Sequence, residues 1–110
     1  QETAYGHGAA AVVATPGEGL ATLLASRHVA ADFVDHYRAA GETFDYSLEE
    51  RWAREAGWFK LVPDALRALL ESAKAAPADV RHVVIAAPAA TGKRVAALAG
   101  LPEAALADTL

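Results

Sequence analysis

Cysteine is absent from the 110 residues, and that gap removes disulfides, thiolate metal sites and a cysteine nucleophile from the chemistry of this chain. A reducing compartment suits such a sequence, so cytoplasmic residence is expected. Also missing is any apolar run of about 18–20 residues, so no membrane-spanning helix and no membrane partner are expected. The start lacks the basic-then-apolar pattern of a secretory signal. Lys and Arg total 10 against 14 Asp and Glu, a formal net charge of −4, and the basic residues are scattered. Nucleic-acid binders draw most of their affinity from clustered Lys and Arg on phosphates, so no nucleic-acid partner is expected. Glu49, Glu50 and Glu55 instead interleave with Arg51 and Arg54, the pattern of a solvated helix face with local ion pairs.

What is present points to a globular chain. Hydrophobic residues make up 54% and charged residues 22%, enough apolar material for a core, and the length fits one domain or part of one. Much of that apolar content is Ala, which buries little area per residue, so the core should be thin and in need of a partner surface. The opening Gln1-Glu2-Thr3 has no initiator Met and is expected to lie within a longer chain.

Along the sequence, Ala9 to Ala14 reads as a buried strand after the flexible Gly6-His7-Gly8. Pro16-Gly17-Glu18-Gly19 forces a turn, and Leu20 to Val29 then makes the second strand of a hairpin, although Leu20, Leu23 and Leu24 also fit a helical stripe. Ala30 to Tyr46 has mixed polarity and irregular aromatics, which predicts an ordered surface excursion of the kind that frames sites. Ser47 and Glu50 form a capping box that opens a helix over Leu48 to Ala56. Leu61, Val62, Leu66, Leu69 and Leu70 recur at helical spacing and predict a helix from Pro63 to Ala75, with Pro63 tolerated in its first turn. His82 to Ala87 is a continuous apolar run with β-branched residues, as in a central strand buried on both faces. After a turn over Pro88 to Thr91, a helix runs from Gly92 to Leu98, Gly100 closes it, and Pro102 opens a last helical turn. Helix, strand and helix in this order describe an α/β layered fold.

The stretch from Ile85 into Gly92-Lys93 looks at first like a P-loop, but Ala87 stands where the early Gly must let backbone wrap phosphate. Arg94 also replaces the Mg²⁺-binding hydroxyl. Two readings remain for the helix start with Thr91, Lys93 and Arg94: a resting place for an anion, or an ordinary solvated terminus. The four histidines, His7, His28, His36 and His82, share no ligand spacing and have no Cys beside them, so a metal is not expected. In Asp35-His36-Tyr37 a carboxylate neighbours an imidazole, but adjacent side chains usually point apart. Asp32, Asp35 and Asp45 read as loop caps, and His7 as a turn residue.

Several segments, in one order, resemble a known family. Gly6-His7-Gly8-Ala9-Ala10-Ala11-Val12-Val13 is similar to the Gly-Asp-Gly-Ala-Ala strand closing the N-terminal half of thiolase-fold condensing enzymes, with His7 in place of Asp. Asp32 to Arg38 followed by Gly41-Glu42, and then Trp58-Phe59-Lys60-Leu61-Val62, resemble the hydroxymethylglutaryl-CoA synthase segments leading into the second half and its first helix. Val83-Val84-Ile85 into Pro88, followed by Arg94-Val95-Ala96 and Leu98-Ala99-Gly100, resembles the first strand, active-site loop and next helix of that half.

The resemblance implies a partial thiolase-like α/β fold of layered helices and a mixed sheet. Residues 1–46 would end the N-terminal half and residues 47–110 would begin the C-terminal one. It implies part of a transferase that forms carbon–carbon bonds from acyl-CoA, an acyltransferase of lipid metabolism. Acyl-CoA is then a substrate, and no cofactor is tightly bound. The nucleophilic Cys and a Glu would lie upstream. The loop His of the family aligns with Ala86, so either the chemistry differs, or the role of the loop has moved, or the protein belongs to a subgroup that works with an OB-fold partner. No catalytic residue carries over. Lys60, Lys93 and Arg94 are the candidates beside a coenzyme A phosphate or pantetheine path. The implied partners are the remainder of the fold or a homodimer mate, and the chain alone would be inactive. The alternative is a small non-enzymatic α/β interaction domain.

Overall fold

A computed structural model describes residues 8–107; Gly6 and His7, which begin the first resemblance segment, lie outside them. Helices combined with short extended pairs give the described chain a general α/β character.

The first regular pairing is antiparallel, between β1 (His36–Tyr37) and β2 (Tyr46–Ser47). Gly41, with φ at 86°, lets the connecting loop reverse. The Tyr37 and Tyr46 rings stack with centroids 5.8 Å apart. Strand alternation places His36 and Ser47 on the opposite face.

A short helix, α1 (Glu50–Trp52), follows the ribbon. Its cap differs from the expected Ser47 capping box. Ser47 is held in β2, and the Glu49 carboxylate instead accepts from the backbone N–H of Arg51 (2.9 Å) and Trp52 (2.8 Å). The predicted helix over Leu48 to Ala56 is also replaced beyond Trp52 by a wider π turn over Ala53–Trp58, in which Phe59 N–H donates to Arg54 C=O at 2.9 Å. That turn presses Gly57 against Phe33, where a Cβ would stand 2.7 Å from the ring. Phe33 in turn stacks on Trp52 at 4.5 Å, so the predicted surface excursion is anchored by its aromatics.

Helix α2 (Leu61–Ala73) starts two residues before the predicted start and keeps Pro63 in its first turn, where no intrahelical N–H is lost. It ends on Lys74 in the left-handed region, φ 53°. The single turn Pro77–Asp79 follows, fastened by Ala76 N–H donating to Asp79 Oδ2 at 2.9 Å. Val62, Leu66 and Leu70 turn one face of α2 onto the core.

The run 82–87 is not a strand buried on both faces: it pairs at Val83 and bends at Ala86 and Ala87. Val83, Ile85 and Ala87 are buried while Val84 is 73% exposed. Only one side has helices to pack against, so the run obeys the two-residue period of a half-buried segment. It takes part in a parallel bridge from Val83 to Leu106, with Val83 N–H donating to Ala105 C=O at 2.7 Å and Ala107 N–H to Val83 C=O at 2.9 Å. Between these partners lies α3 (Ala89–Leu98), so extended segment, helix and parallel return form one crossover unit. Helix α3 begins three residues earlier than predicted, directly after Pro88, because Ala89 and Ala90 are strong helix formers. Gly100 at φ 76° ends it. The expected turn after Pro102 is present over Glu103–Ala105.

Arg67 on α2 donates to Leu98 C=O at 2.7 Å and pairs with Asp64, tying α2 to the carbonyl end of α3. The core comprises Val83, Ile85, Val95 and Leu101 with four alanines, and Val95 is completely covered. Half of that core is Ala, which makes it as thin as the composition predicts.

The two N-terminal strands are not formed. Ala9 to Ala14 and Leu20 to Val29 have no regular structure, and Val12 (91%), Val13 (92%) and Leu24 (79%) are exposed. Strands need a ladder and a surface to cover, and neither run meets one among the described residues.

Candidate functional site

The β ribbon, the π turn and the start of α3 converge on a cavity of about 260 Å³. Each contributes for a local reason. In the ribbon, His36 and Ser47 are direct partners. Leu48 N–H donates to Asp35 C=O at 2.7 Å, which makes His36 and Ser47 the closely spaced, non-hydrogen-bonded pair of the ladder. Asp35 sits at a bend, where strand alternation lapses, and its Oδ1 lies 2.7 Å from His36 Nδ1. A carboxylate only accepts, so Nδ1 carries the proton in this contact and the lone pair of the neutral ring lies at Nε2. Both side chains are about half exposed, at 52% for His36 and 48% for Asp35.

From α1 and the π turn come Glu50 and Arg54, paired at 3.3 Å across one turn, together with the indole of Trp58. Leu48 and Ala53 extend the apolar wall. The far side is Pro88 and Thr91 at the start of α3. Gly92 N–H to Pro88 C=O, 2.9 Å, is the first helical hydrogen bond of α3, so the preceding amides form the positive end of its dipole. The cavity thus joins an oriented imidazole, a compensated ion pair, a hydroxyl, an apolar wall and a partly positive helix end. Such a set can move a proton next to a group that becomes negative.

The three cations carried over from the family resemblance lie elsewhere. Lys60 is exposed immediately before α2 and is not on this wall. Lys93 and Arg94 are exposed neighbours on α3, brought together along a separate apolar groove of about 450 Å³ that also involves Ala97, Leu101 and Leu106. Glu103 shares that groove and offsets part of their charge. Lys93 and Arg94 therefore form one locus and Lys60 another. Ala86 is exposed two residues before Pro88 and brings no polar group. Among the described residues no three His, Asp or Glu side chains cluster as a metal site requires, and no helix is long and apolar enough to cross a membrane.

Asp35, His36 and Arg54 are the cavity residues that sequence reading passed over as functional, whereas Thr91 stood in the helix start read as either an anion's resting place or a solvated terminus. The adjacent Asp-His pair was the visible signal, and strand geometry argues for opposite directions. The bend at Asp35 reverses that conclusion. No family model, no curated protein and no solved structure matches the chain.

Proposed function

We propose that this chain is part of an acyl-CoA condensing enzyme of the thiolase superfamily, on the hydroxymethylglutaryl-CoA synthase side, whose nucleophilic Cys lies outside these 110 residues. The observation that carries the reading is the crossover unit: an extended segment, the Pro88 turn, α3 and a parallel return to Val83. A parallel crossover is the building unit of layered α/β folds. This one coincides with the segments that resemble the first strand, active-site loop and following helix of the second half. The cavity lies at the loop end of that unit, where Pro88 and Thr91 contribute to its wall.

On this reading residues 1–46 finish one half of the fold and residues 47–110 begin the other. The irregular runs 9–14 and 20–29 acquire their neighbours from the remainder of the fold or from a homodimer mate, and an OB-fold protein is a further partner. Acyl-CoA is the substrate, and Lys93 and Arg94, with Lys60 apart from them, are the cations offered to its phosphates or pantetheine arm. Thiol release and carbon–carbon product formation from short acyl-CoAs test the proposal. A much longer encoded protein with an upstream Cys is expected to show both, and the 110-residue chain neither. An encoded protein with no upstream Cys, or with no acyl-CoA turnover, overturns it.

A further inference from the structure

We infer that His36, oriented by Asp35, is the proton-transferring residue of this cavity, and that the cavity takes the reacting end of an acyl thioester. The inference rests on the condensing-enzyme reading above, but the residue is chosen by geometry. Two acidic side chains face the cavity, and each has a cationic or imidazole partner: Glu50 with Arg54 at 3.3 Å and Asp35 with His36 at 2.7 Å. Pairing at Nδ1 fixes the His36 tautomer and the plane of the ring, and places the basic lone pair at Nε2. The backbone on either side of His36 is held by the ribbon. Leu48 N–H holds the carbonyl of Asp35 at 2.7 Å, and Ser47 stands directly opposite in the close pair of the ribbon, where Cβ atoms lie about 4.5–5.5 Å apart.

Size decides which part of a substrate fits. A volume of about 260 Å³ falls below the roughly 300–1,000 Å³ of sites that enclose a whole small molecule. A short acyl or 3-oxoacyl group fits, with its chain against Leu48 and Trp58 and its carbonyl oxygen toward the start of α3. The positive end of the α3 dipole and the Thr91 hydroxyl then face the oxygen that gains charge.

The step balances without an oxidant or cofactor. His36 Nε2 takes a proton from the α-carbon of one acyl group. The electron pair of that C–H bond forms the new C–C bond to the carbonyl carbon of a second acyl thioester. Its C–S bond breaks, the thiolate departs with those electrons, and the Nε2–H proton passes to it. Asp35 acts through His36 and is a positioning residue.

The test uses the complete encoded protein with short acyl-CoAs. It measures kcat and KM for carbon–carbon product formation and deuterium uptake at the α-carbon in D2O. His36→Ala and His36→Gln are expected to lower kcat about 10²–10⁴-fold with little change in KM and to abolish deuterium uptake. Added imidazole should restore part of the His36→Ala rate, which a structural role would not allow. Asp35→Asn should lower kcat less, and Asp35→Glu should regain most of it. A wild-type protein that condenses acyl-CoAs while His36→Ala keeps its rate and deuterium uptake overturns the inference and leaves the condensing reading intact. A wild-type protein that neither condenses acyl-CoAs nor exchanges their α-protons brings down both.

Discussion

Residues 8–29 and residues 61–107 are both rich in apolar side chains, yet one has no regular structure and stays exposed while the other packs. Val13 is 92% exposed and Val95 completely covered, although the residue type is the same. The difference lies in what each segment meets. Around Val95 the helices α2 and α3 and the run 82–87 supply surface on several sides, and Arg67 locks the two helices together through the Leu98 carbonyl. Val13 has no ladder partner among the described residues, and its Ala neighbours bring little area to bury. Apolar content sets how much can be buried, and a facing surface sets whether it is.

The sharpest way to break this comparison is to put a charge at both valines. Val95→Asp buries an unpaired carboxylate in a closed core and is expected to destabilise the chain by at least about 3 kcal/mol, read as loss of the cooperative thermal transition. Gly57→Ala tests the join between the two regions, since its Cβ would meet the Phe33 ring at 2.7 Å. A loss of about 1–3 kcal/mol is expected, with changed Trp52 fluorescence as Phe33 leaves the stack. An unchanged melting temperature would mean that Phe33 does not hold the excursion to α1. Glu49→Ala removes the acceptor of two helix amides and should lower stability by about 1 kcal/mol, whereas Ser47→Ala should change helix stability less. Chemical denaturation distinguishes the pair. Val13→Asp closes the series with a shift within about 0.5 kcal/mol, because that side chain is 92% exposed. A large destabilisation there would show that residues 8–29 already pack on something in the isolated chain.

The same contrast explains how far the sequence could be read. The α2 stripe is local and strong, so the span Leu61–Ala73 lies within two residues of expectation at either end, and Gly100 marked the end of α3 correctly. Strands depend on partners distant in sequence, so 9–14 and 20–29 read as strands from composition and formed none. The run 82–87 showed its one-sided burial only once the helices had covered one side. At Ser47 two local rules competed, capping and cross-strand pairing, and pairing with His36 prevailed. The π turn carries no sequence signature beyond Gly57. The cavity was the least legible feature, because it joins Asp35 to Pro88 across about half of the chain and depends on a bend that reorients a single side chain.

The parallel bridge at Val83 also bears on the order of events in time. Two backbone hydrogen bonds, to Ala105 and from Ala107, join segments separated by the whole of α3, so closing them requires the intervening chain to be compact already. Helix α3 and its contacts with α2 are therefore expected to form before the bridge, which kinetic analysis of substitutions in the two helices would check. The same dependence runs backward: once α3 frays or swings away from α2, the amides of Val83 and Ala107 lose their acceptors together. In native-state hydrogen exchange these two protons should open as a single unit, with one shared opening free energy, even though they lie at opposite ends of the crossover.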